Sequence, residues 1–98
     1  MNIIDAYDLV CLVASMETPP SLLTAQKINL LTKHLAEKGI ESHFYMSSFE
    51  AIQFEYPDCI SVSRTEIFIG SPRRLGQISS KQLEEPIKKL INDIINDD

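Results

Sequence analysis

The chain has 98 residues, 44% hydrophobic and 23% charged, a composition that suits one globular domain with a single core and argues against wholesale disorder. Nine Lys and Arg against fourteen Asp and Glu give a net charge of −5 and a pI near 4.9, which argues against a nucleic-acid binder and fits an acidic protein that engages a basic partner. No apolar stretch reaches membrane-spanning length, so no membrane insertion is expected, and Met1–Asp5 lacks the basic segment that opens a secretory signal. Two cysteines, Cys11 and Cys59, do not make a disulfide framework, and a cytoplasmic, reducing setting is expected for a single domain over 1–98.

Leu9–Ala14 is the first clear element, six apolar residues without alternation. Such a run suits a strand buried on both faces. The polar elbow Ser15–Pro20 follows, with Thr18 placed to cap a helix and Pro19 to occupy its first turn. That helix is expected from about Pro19 to Lys38. Ala25, Ile28, Leu31 and Leu35 form its apolar stripe, and Gly39 is its C-terminal cap. A second strand is expected over Ile40–Met46. Ser47-Ser48-Phe49-Glu50 has the form of a capping box, favouring a helix over 49–56, although Ile52–Tyr56 also alternates like a strand.

Strand three is expected at Cys59–Ser63 and strand four at Ile67–Ile69. The connection between them is too short for a parallel crossover, leaving an antiparallel hairpin or one long bent strand. The last helix shows its buried face in Leu83, Ile87, Leu90, Ile91 and Ile94, and Pro86 fits best in the first turn of its main part. The expected fold is an α/β three-layer sandwich. Its four-stranded, mostly parallel sheet runs in the order 2-1-3-4, with helices on both faces.

Open parallel sheets bind ligands beyond the carboxyl ends of their strands. Loops there would bring Ser15, Thr18 and Ser21 together with Ser47, Ser48, Ser63, Arg64 and Thr65, and a parallel fourth strand would add Arg73 and Arg74. Helix N-termini and arginine forks both favour phosphate or carboxylate. The expected ligand-binding set is Ser15, Thr18, Ser21, Arg64 and Arg73. His34 and His43 have no ligands at metal spacing, so no metal or cofactor is expected. Asp5 and Asp8 read as edge solvation, and Cys11, in mid-run, as a buried inert thiol.

Ser21-Leu22-Leu23 with Gln26-Lys27-Ile28, Lys38-Gly39-Ile40-Glu41, Tyr56-Pro57-Asp58-Cys59-Ile60 and Ile69-Gly70-Ser71-Pro72 cover most of the chain. In that order they resemble the enzyme IIB domains of the sugar phosphotransferase system, including IIB-like modules attached to bacterial transcription regulators. The resemblance implies a phosphorylated cysteine at the end of strand one, cradled by a glycine-containing loop. Here the nearby cysteine is Cys11, the following loop has no glycine, and Pro19 and Pro20 remove two amide donors. The expectation is therefore a non-catalytic regulatory or binding protein that recognises a protein partner or an anionic group at the C-terminal edge of its sheet. Two alternatives stand beside it. An active phosphocysteine carrier would need an exposed Cys11 of lowered pKa. A small acidic inhibitor or immunity-type protein would block a basic partner and bind it in a salt-sensitive way.

Overall fold

The computed structural model describes residues 3–15, 22–70 and 85–96. Strand β1 (Ile3–Asp5) runs directly into helix α1 (Ala6–Ser15). Asp5 makes the junction: its Oδ1 accepts the Asp8 N–H at 2.9 Å, and its own N–H donates to Asp8 Oδ2 at 3.2 Å. This is the reciprocal geometry of a capping box, built here from two aspartates at the end of the helix that favours negative charge. Asp5 and Asp8 are thus capping residues, not edge solvation. The strand expected at Leu9–Ala14 is a helix. Ala6, Leu9, Val10, Val13 and Ala14 are buried, at i, i+3, i+4, i+7 and i+8, the stripe of a core-facing helix. Cys11 and Leu12 are only half-buried.

Strand β2 (Leu22–Thr24) precedes helix α2 (Ala25–Glu37). The helix starts later than its sequence suggests because Thr24 caps it, with Oγ1 accepting the Lys27 N–H at 3.2 Å. The expected cap Thr18 lies outside the described residues. At the far end Gly39 has φ +77°. Its N–H donates to the Ala36 carbonyl at 3.0 Å and that of Ile40 to the Leu35 carbonyl at 2.9 Å. Those two bonds are the Schellman closure, which needs the left-handed conformation that glycine adopts without strain.

Strand β3 (Glu41–His43) is shorter than expected, and helix α3 (Met46–Glu55) settles the ambiguous segment as helical. Its N-cap is Tyr45, with no side-chain cap, so the Ser47–Glu50 pair lies inside the helix and does not begin it. Strands β4 (Ile60–Val62) and β5 (Glu66–Ile69) form an antiparallel hairpin. Ser63 N–H donates to the Glu66 carbonyl at 2.9 Å across the Arg64–Thr65 turn. Helix α4 (Glu85–Ile95) carries Pro86 in its first turn, as the sequence suggests.

The strands make two sheets. β1 and β3 pair in parallel, Ile4 opposite Ser42; β2, β5 and β4 form an antiparallel sheet in the order β2-β5-β4. The four-stranded, mostly parallel sheet of order 2-1-3-4 is therefore not formed, although the α/β class holds. Two sequence signals mislead: Leu9–Ala14 is spent on a helix, and Leu22–Thr24, read as helix, supplies the strand that pairs with β5. Ile4, Leu23, Leu31, Leu35, Phe49, Ile52, Ile67 and Ile91 are all completely buried in one shared core. Lys27 ties α2 to the end of α4, its Nζ donating to the Ile95 carbonyl at 2.6 Å, where a cation complements the helix dipole. Among the described residues no helix is long and apolar enough to cross a membrane.

Candidate functional site

Of the anion-binding set expected from the sequence, the described residues include Ser15 and Arg64. Ser15 is the last residue of α1, whereas Thr18, Ser21 and Arg73 lie outside the described residues. Arg64 is exposed in the β4–β5 turn, next to the start of α2. The amides there are occupied: Ala25 N–H donates to the Thr65 carbonyl at 2.8 Å and Lys27 N–H to Thr24 Oγ1. A phosphate reaching this helix end would compete with both bonds for these two amides.

Cys11 stands on α1, one turn after Asp8, and not at the exposed end of a strand. Burial pushes its thiol above the usual range, and the charges of Asp8 and Asp5 push it further the same way. Nucleophilic or phosphoryl-accepting thiols are held low by cations or helix N-termini. These surroundings do the reverse. Cys59 is buried just ahead of β4. His34 lies 3.7 Å from Glu37 and His43 2.9 Å from Glu41, and no group of three or more possible metal ligands occurs among the described residues.

A different surface stands out. Alternation along β5 buries Ile67 and Ile69 on the core side and turns Phe68 outward, 45% exposed. Phe68 lies between Leu22 of β2 and Ser61 of β4 in the register of the sheet. At the open end of the hairpin a groove of about 180 Å³ is lined by residues 57–61 together with Phe68 and Gly70. Gly70 N–H donates to the Cys59 carbonyl at 2.7 Å and closes its floor. Asp58 is the one charged residue among the described residues lining it.

Helix α3 leads straight into this groove, and Phe54 near its end is 89% exposed. Phe54 and Pro57 are three residues apart, so their Cα atoms are within about 11 Å. The neighbouring Gln53 accepts the Val62 N–H at 3.1 Å through its side-chain oxygen, which holds α3 against β4. Glu55, also exposed, accepts the Tyr7 hydroxyl at 3.1 Å. The result is two exposed phenylalanines and a shallow apolar groove with carboxylates around them, and Arg64 sits at the opposite end of the hairpin.

Phe54, Phe68 and the groove residues are not singled out by the sequence pattern as a site. Ile67-Phe68-Ile69 reads as a plain apolar strand, yet period two alone puts Phe68 on the face opposite its neighbours. Phe54 follows buried Ile52 by two residues, about 200° around a helix, which turns it away from the core. Both signals exist once α3 is known to be a helix. The chain matches no protein-family model, no curated protein and no solved structure.

Proposed function

We propose that this is a small non-catalytic binding protein of a reducing, cytoplasmic setting, which recognises a protein partner through Phe54, Phe68 and the groove at the open end of the β4–β5 hairpin. The observation that carries this reading is exposed Phe68 lining a groove, with exposed Phe54 three residues before Pro57 of the same lining. Contiguous exposed apolar surface rimmed by polar groups marks interaction sites, and aromatic anchors dominate interface energetics. A regulatory role of the kind the IIB resemblance implies accords with such a surface, relocated from the edge of a parallel sheet to the outer face of an antiparallel one. Phosphoryl transfer is disfavoured by the acidic, half-buried surroundings of Cys11.

The reading is tested by replacing Phe54 or Phe68 with a photoreactive phenylalanine analogue in the full chain and irradiating it in the source cell's lysate. Leu30, an apolar residue on α2 that is 42% exposed, serves as the control position. A discrete adduct from positions 54 and 68 and none from 30 is the expected result. No adduct from either phenylalanine position, or the same adducts from all three, sinks the reading.

A further inference from the structure

We infer that the partner segment seated on this surface is basic, with lysine or arginine side chains interleaved with apolar ones; the inference rests on the binding reading above. From Phe44 to Ser63 the chain contains no Lys, Arg or His, while Glu50, Glu55 and Asp58 supply three carboxylates. All three are exposed. Glu50 lies one helical turn before Phe54, Glu55 is its neighbour, and Asp58 lines the groove.

Each exposed ring thus has a carboxylate neighbour, Glu50 and Glu55 for Phe54 and Asp58 for Phe68. A purely apolar partner that covered Asp58 or Glu50 would desolvate that carboxylate without a cation to pair with it, which is costly. An acidic partner would be repelled. A basic-apolar segment satisfies both features: aliphatic stems of Lys or Arg pack on Phe68 and Pro57, and their heads reach Asp58 and Glu50. The outward face of Phe68 also offers a cation–π contact. Tyr7 uses one oxygen of Glu55, and a carboxylate accepts more than one hydrogen bond, so Glu55 still has acceptor capacity.

The probes are two capped hexapeptides, one alternating leucine with arginine and the other leucine with glutamate, titrated into the isotopically labelled full chain and followed by backbone amide NMR. The arginine peptide is expected to shift the Ser61, Phe68 and Gly70 amides saturably. Its affinity should fall several-fold between low and physiological salt, as screening of exposed charge requires. D58K and F68A should each weaken it about tenfold or more, while the Leu30→Ala control leaves it unchanged. All three positions are exposed, so the variants keep the fold, which their amide spectra verify.

Equal shifts from the glutamate peptide, or no shift of those amides by the arginine peptide, overturn the inference. The photochemical adduct separates this failure from failure of the binding reading. An adduct at Phe68 whose mapped partner segment lacks Lys and Arg keeps the binding surface and refutes its basic specificity. A mapped segment with basic and apolar residues interleaved supports both.

Discussion

The capping pair at the start of α1 decides between a helix and a strand over residues 6–15, and Asp5→Ala tests it directly. In the helix, the Asp5 carboxylate accepts the Asp8 N–H at 2.9 Å, a bond worth about 1 kcal/mol at an N-cap. Its charge at the helix N-terminus adds about 0.5 kcal/mol. The alanine variant should therefore lose about 1.5 kcal/mol. With a urea slope of about 1.5 kcal/mol per molar for a domain of this size, the midpoint moves down by about 1 M with the slope unchanged. Asp5→Ser keeps a capping oxygen and should recover most of the loss. Were residues 9–14 a strand instead, Asp5 would be a solvated edge residue, and its removal would stay within about 0.5 kcal/mol of neutral. Equilibrium urea unfolding followed by far-ultraviolet circular dichroism reads the shift. An unmoved midpoint in Asp5→Ala, alongside a drop of about 1 kcal/mol in the parallel Thr24→Ala cap variant, would refute the helical assignment of this segment.

Three further outcomes are expected. Gly39→Ala meets no atom within 4 Å, yet must hold φ near +77°, so it should cost about 1 kcal/mol by backbone strain alone, measured as a lowered urea midpoint. Ser42 Oγ is buried with no hydrogen-bond partner, so Ser42→Ala should be neutral or stabilising by up to about 1 kcal/mol; a loss of that size would show that the hydroxyl is bonded. Tyr7 and Cys11 both have raised pKa values, each chiefly through burial. The folded state keeps these protons to higher pH than the unfolded chain does. Their contribution is therefore whole below about pH 8.5, the unperturbed thiol value, and declines as pH rises through the folded values. Unfolding midpoints recorded from pH 7 to 11 should fall at the alkaline end, and a combined Tyr7→Phe, Cys11→Ala variant should flatten that fall.

What the sequence makes legible follows from how local each signal is. The stripe Ile28, Leu31, Leu35 and the cap at Gly39 define most of α2 by contacts within a few residues. Pro86 fixes the first turn of α4 for the same reason, since a missing N–H is harmless only there. Segment 49–56 carries both periods, and burial of Phe49 and Ile52 on one helical face decides it. The first element is obscured because apolar residues at Cys11 and Leu12 fill the face that would otherwise reveal period 3.6. The Asp5–Asp8 pair was the legible clue there. Strand β2 could not be read locally at all. Leu22–Thr24 is three residues long, and only its long-range pairing with Glu66–Phe68 makes it a strand.

The conformation of residues 6–15 also bears on which function the chain can carry. As a strand ending in a loop, this segment would present a thiol or hydroxyl to a ligand at the edge of a parallel sheet, the placement that the IIB resemblance implies for a phosphorylated cysteine. As a helix capped by Asp5 and Asp8, it carries Cys11 one turn from a carboxylate, where a thiolate is disfavoured and an added phosphoryl group would be repelled. The same helix frees β5 to pair with β2 on one side and β4 on the other. That pairing sets Ile67 and Ile69 into the core and leaves Phe68 outside. Residues 6–15 as a helix and β5 as the central strand of an antiparallel sheet are thus parts of one arrangement, in which the aromatic groove lies on the outer face of that sheet. Asp5→Ala consequently probes more than a cap: a loosened first turn of α1 should shift the Phe68 and Gly70 amides as well as those of 6–15, and unmoved groove amides beside shifted α1 amides would show that the two are uncoupled.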